Sequence, residues 1–135
     1  MKDNKNLVNL AKEAMQKSYS PYSNFGVGAA LLSKSGKVYS GCNIENASFS
    51  PTCCAERTAF FKAISEGETM FSKIAIVGGK NKEITDFCAP CGVCRQVMRE
   101  FCDDDFIIVL SNGEEIKEYK LSEILPVSFS PKDVR

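Results

Sequence analysis

The sequence predicts an α/β sandwich on a mixed sheet, and three observations predict it. Short apolar runs of strand type alternate with stretches of helical periodicity. The first two strand-like runs are separated only by a turn, which makes them antiparallel. At 135 residues the chain is long enough to bury one core, so a single domain over 1–135 is expected.

The elements follow in order. Leu7, Val8, Leu10, Ala11, Ala14 and Met15 recur at helical spacing, which predicts an amphipathic first helix. YSPYSNFG, residues 19–26, carries proline and asparagine and reads as a loop. VGAALLS then reads as a buried strand, SKSGK as a hairpin turn and VYSGCNI as the partner strand. After the ENASFSPT loop, CCAERTAFFKAISEG reads as a helix with Ala59, Phe60, Ala63 and Ile64 as its apolar stripe and Gly67 at its end. KIAIVGG is a near-continuous apolar strand of the kind covered on both faces. CGVCRQVMREFC reads as a further helix, FIIVL as another buried strand, and the polar EEIKEYKL as a sheet edge.

Charge narrows the function. Lysine plus arginine is 17 and aspartate plus glutamate is 17, so no basic footprint exists for binding phosphates. That argues against a nucleic-acid partner and for a small uncharged one. No apolar run approaches the roughly 18 residues of a membrane span. The opening MKDNKNLVNLAKEAM contains acidic residues and lacks a secretory core, so a cytoplasmic protein with reduced thiols is expected. Seven cysteines and no histidine then read as metal ligands plus packed thiols.

Two segments carry the chemistry: PTCCAERTAF from Pro51 and APCGVCRQVM from Ala89. Catalytic zinc takes three protein ligands and leaves a fourth position open, and Cys54, Cys91 and Cys94 can supply three thiolates. Both cysteine segments begin helices, whose positive ends favour thiolate over thiol. Glu56 has the chemistry of a general acid and base beside activated water. Arg57 is expected to draw charge from the ligand sulfurs, with Arg95 as the other candidate. Structural zinc closed by Cys53 or Cys88, and a redox pair at Cys91 and Cys94, are the readings against it.

CAE at 54–56 followed by PCGVC at 90–94 resembles the zinc-dependent nucleoside and nucleobase deaminases, whose pattern places one residue between ligand and glutamate. That spacing selects Cys54 over Cys53. SPYSNFGVGAAL and GCNIENASF sharpen the resemblance to the cytidine deaminases that use three cysteines. The resemblance implies a three-layer α/β/α sandwich with a five-stranded mixed sheet and one zinc per subunit. It implies that Phe25 stacks on the pyrimidine, Asn43 and Glu45 bind the ribose, and the backbone at Ala55 and Ala89 meets the base. It also implies a homotetramer in which Phe129 closes a neighbour's pocket. Glu56 would carry protons from water to the ring nitrogen and then to the leaving amine, turning cytidine or deoxycytidine into its uridine counterpart in pyrimidine salvage. A deaminase of another aminopyrimidine such as blasticidin S, or a zinc-stabilised interaction module without turnover, are the alternatives.

Overall fold

A five-stranded sheet with helices on both faces organises the chain, and the computed structural model describes residues 3–135. Helix α1 spans Asn4–Met15, and strands β1 and β2 span Phe25–Ser33 and Val38–Cys42. Helix α2 covers Ala55–Ser65, β3 Phe71–Lys80, α3 Gly92–Phe101, β4 Ile107–Ser111 and β5 Ile116–Lys120. The short helix α4, Leu121–Ile124, and a 3₁₀ turn at Pro131–Asp133 end the chain. These last two are not among the elements expected from sequence, because neither is long enough to show periodicity.

The spatial order is β2-β1-β3-β4-β5. Only β3 and β4 run parallel, joined across α3 as a parallel pair requires; the other neighbours are antiparallel. The mixed sheet is therefore as expected, and polar β5 sits at its edge.

Alternation along β1 and β3 divides the core between two layers. Ala30, Leu32, Ala75 and Val77 meet Leu7, Val8, Ala11 and Met15 of α1 on one face. Ala29, Leu31, Ile74 and Ile76 meet α2 and α3 on the other, around Phe60 and Met98. Phe60 packs edge-on against Phe71, with ring centroids 5.0 Å apart. Both faces of β1 and β3 are thus covered, which is why their sequences are apolar without alternating.

Helix α2 begins at Ala55 rather than Cys53, with Cys54 as N-cap. Cys53 instead pairs with Ile44 in an isolated β-bridge. The helix ends where Gly67 takes a φ of 98°, a conformation that suits glycine. Its first turn lies close on β2 because Gly41 has no side chain: a Cβ there would come within 2.6 Å of the Ala59 nitrogen. Gly41→Ala is expected to destabilise the fold by about 1–3 kcal/mol, measured by denaturant unfolding, and to shift α2 outward from the sheet. Among the described residues, no helix is long and apolar enough to cross a membrane.

Candidate metal centre and active site

The N-termini of α2 and α3 converge at one end of the sheet and bring three cysteines together. Cys54 and Cys91 are the N-caps of the two helices, and Cys94 lies in the first turn of α3. Their sulfurs all lie within 4.8 Å of one another. Cys54 Sγ is 3.7 Å from Cys91 Sγ, and Cys91 Sγ is 3.4 Å from Cys94 Sγ. Thiolates at the corners of a zinc tetrahedron, with bonds of about 2.3 Å, stand about 3.8 Å apart. The donor set fits such an ion in chemistry and in spacing. Cys53 and Cys88 stand outside this cluster, so among the described residues a three-cysteine metal-binding site is present with no fourth side-chain ligand.

Electrostatics at the trio favour a thiolate. The Cys54 thiol is lowered to about 5, chiefly by a hydrogen bond from Cys94, with Arg57 helping and burial opposing. Cys94 moves the other way, its proton held by the hydrogen bond to Cys54 and by burial. Arg57 Nη2 donates to Cys54 Sγ at 3.4 Å, the contact expected of it, and this bond holds the guanidinium more firmly protonated. Its Nε is buried without a partner. Arg95 does not share the role: its Nε donates to the Pro90 carbonyl at 2.8 Å and its Nη1 to the Ile124 carbonyl at 2.7 Å. It ties the loop before α3 to α4 and leaves the sulfurs to Arg57.

Glu56 sits on the buried face of α2, one turn before Ala59 and Phe60, and is only 4% exposed. Burial pushes its carboxyl up to about 7, and the Cys54 charge adds to the shift. No cation among the described residues forms an ion pair with it. A carboxyl at the first turn of a helix, beside three sulfur donors and close to neutral pKa, is equipped to accept and return a proton. Cys88, half-buried near Glu56 and Cys54, is pushed up to about 12 by burial and stays a thiol. Cys42 and Cys102 are likewise raised by burial.

The remaining predicted residues, Phe129 apart, occupy the same end of the sheet. Phe25 opens β1, its side chain partly exposed. Asn43 is buried and fully oriented: its oxygen accepts from the Ser18 hydroxyl and the Val27 amide, and its Nδ2 donates to the Phe25 carbonyl at 2.7 Å. Its second Nδ2 hydrogen has no protein acceptor among the described residues. Glu45 accepts from the amides of Tyr22 and Ser23 and from the Ser23 hydroxyl, which holds its carboxyl below the usual range. A cleft of 420 Å³ is lined there by Tyr22, Ser23, Glu45, Phe49 and Thr52. Ala55 is the first residue of α2, where an amide has no acceptor within its own helix. Ala89 is exposed beside Pro90.

Phe129 lies apart from this group in the C-terminal segment. It is 63% exposed, and its carbonyl accepts from Gln96 at 2.9 Å. The larger cleft of 810 Å³ lies between the end of α3 and that segment and is lined by none of the predicted site residues. Sequence reasoning passed over Ser18, Tyr22 and Ser23, since a serine or tyrosine in a loop carries no spacing signal. Tyr22 and Ser23 do fall within SPYSNFGVGAAL, the segment that carries the resemblance, but nothing there singles them out.

Comparison with known proteins agrees with this geometry. The family model for the cytidine and deoxycytidylate deaminase zinc-binding region matches residues 1–110. A cytidine deaminase of Sporosarcina psychrophila is 44% identical over 133 residues, spanning 98% of this chain and 95% of that one. One from Halalkalibacterium halodurans is 47% identical over 133 residues, spanning 98% of each chain. The crystal structure of cytidine deaminase from Burkholderia pseudomallei superposes with a TM-score of 0.87 at 43% identity, covering 95% of this chain and 100% of that one. With the motif spacing, the three-sulfur centre and the sheet order in agreement, the chain belongs to the zinc-binding cytidine and deoxycytidylate deaminase family of enzymes.

Proposed function

We propose that this protein hydrolyses cytidine and 2'-deoxycytidine to uridine and 2'-deoxyuridine, releasing ammonia, with one zinc ion per subunit held by Cys54, Cys91 and Cys94. The observation that carries the reading is a buried carboxyl, Glu56, raised to about 7 beside a three-thiol centre. Zinc held there would supply Lewis acidity that makes the attacking water easier to deprotonate.

Glu56 begins ionised and takes a proton from the attacking water on a carboxylate oxygen. It delivers that proton to the ring nitrogen beside the amino-bearing carbon. After water oxygen has bonded to that carbon, Glu56 moves the remaining hydroxyl proton to the amine. The carbon–nitrogen bond breaks and ammonia departs, so one water and one nucleoside give one ammonia and the 4-oxo product. The Ala55 amide donates to the base carbonyl oxygen, and the Ala89 carbonyl accepts from the amino group. Phe25 meets the base face, and Asn43 and Glu45 take the sugar hydroxyls as donor and acceptor.

Arg57 tunes this chemistry through Cys54. Three thiolates leave a divalent ion with net negative charge, and the guanidinium withdraws part of it. Arg57→Ala is expected to lower kcat by about tenfold to a hundredfold with a smaller change in KM. Steady-state kinetics across pH would check it, since the rate should then reach its plateau at higher pH.

The reading includes assembly into a homotetramer in which Phe129, 63% exposed in the single chain, closes a neighbouring pocket. Pyrimidine salvage in the cytoplasm is the matching role. The deciding experiment measures ammonia from cytidine, deoxycytidine, deoxycytidylate and blasticidin S, with zinc quantified in the same sample. Turnover of the two nucleosides is expected. Zinc-loaded protein that releases ammonia only from blasticidin S, or from none of the four, overturns the reading.

A further inference from the structure

One hydroxyl bonds both to Phe25 and to Glu45, the residues proposed above to meet the base and the sugar. Ser23 Oγ accepts from the Phe25 amide at 3.0 Å and donates to one oxygen of the Glu45 carboxylate. The other oxygen accepts from the amides of Tyr22 and Ser23 at 2.9 and 3.1 Å. An ionised carboxylate offers about four acceptor positions. Three are occupied by this loop, which leaves about one for a ligand on the side of the cleft.

The loop is itself held in place. Asn24, between Ser23 and Phe25, adopts a φ of 58°, a left-handed conformation that asparagine tolerates. Its amide donates to the Ser20 carbonyl at 2.9 Å, and its carbonyl accepts from the Asn81 amide at 2.7 Å. Lys80 Nζ donates to the Ser23 carbonyl at 3.0 Å. Among the described residues, the serine hydroxyl is the side-chain donor that links this firmly seated turn to the Glu45 carboxylate. The two backbone amides grip one carboxylate oxygen; Ser23 Oγ fixes the second and so sets the rotation of the group.

We propose that Ser23 is a positioning residue for nucleoside recognition, its hydroxyl holding the Glu45 carboxylate at a set distance from Phe25 so that sugar and base are read together. The proposal rests on the nucleoside reading above. It predicts an effect that depends on the sugar hydroxyls rather than on stability or on the chemical step.

The test compares cytidine with 2',3'-dideoxycytidine, which lacks both sugar hydroxyls, on the zinc-loaded full chain. Losing one charge-assisted hydrogen bond should reduce the preference for cytidine in kcat/KM about tenfold in Ser23→Ala. The change should fall mainly on KM for cytidine, with Ser23→Thr restoring the preference. If the alanine variant does not fold, Ser23→Cys replaces the hydroxyl with a weak donor and carries the same readout. An equal loss on both substrates, or an unchanged preference, overturns the proposal. Glu45→Ala separates the two failures. If it abolishes the preference while Ser23→Ala retains it, the serine role alone is wrong; if it also retains the preference, the sugar-binding role of Glu45 falls and the serine role falls with it.

Discussion

Glu56→Gln should leave a folded, zinc-containing protein whose turnover of cytidine is lower by about 10³–10⁴. Glutamine matches glutamate in size, so a site only 4% exposed accommodates it without a cavity or an overpacked contact. The amide cannot accept a proton from water or return one to the base, and the proposed route needs both acts from the same group. Substitution also removes the cost of a buried carboxyl with no cation paired to it, so folding is not expected to suffer.

The pH profile supplies an independent check on Glu56. Burial raises its carboxyl to about 7, and the group must start ionised to act as base. Activity of the unsubstituted enzyme should therefore fall as pH drops through the Glu56 ionisation, and that limb should be missing from the residual activity of Glu56→Gln. Near-normal hydrolysis by the variant would remove Glu56 from the mechanism.

Cys91→Ala is expected to lose both metal and activity. A thiolate zinc site contributes on the order of 10 kcal/mol or more. Removing one of three sulfurs then costs roughly 3 kcal/mol, about a hundredfold in affinity. Cys91 is the sharper choice because it is exposed, whereas Cys94 is almost fully buried and its truncation would also open a cavity. Metal content measured on purified protein decides the matter, with Cys53→Ala as the control that keeps zinc. Cys91→Ala with unchanged zinc would move the ion to other ligands.

Much of this centre is legible in the sequence. C-x-x-C at the start of a helix fixes two sulfurs by local geometry, since the N-cap and the first turn of a helix face one point. Cys54 followed by Glu56 is similarly local. Its neighbour Cys53 differs by one position, and the fold shows why it is excluded: its backbone belongs to the bridge with Ile44, while Cys54 caps α2. Arg57, the first choice from sequence, does donate to Cys54, whereas Arg95, the second choice although it directly follows Cys94, points to the Pro90 and Ile124 carbonyls instead. Adjacency does not fix direction; the packing around the side chain does.

Helices and strands longer than about two turns or five residues announce themselves through periodicity. The four-residue α4 and the C-terminal turn do not. Nor does the loop around Ser23, whose hydrogen bonds reach 22 residues along the chain to Glu45.

By itself, the sequence determined the elements and the antiparallel opening hairpin, because each depends on residues within a few positions of one another, and its motif spacing named the three cysteines, although Cys54 lies 37 residues from Cys91 along the chain. Tertiary structure alone decided that Glu56 is buried enough to hold its proton near neutrality, that Arg57 rather than Arg95 reaches a sulfur, and that Asn43 and Glu45 are oriented by serines from a distant loop. Desolvation and hydrogen-bond direction are set by what packs nearby in space, and that neighbourhood exists only once α2, α3 and the loop before β1 have closed on the same end of the sheet.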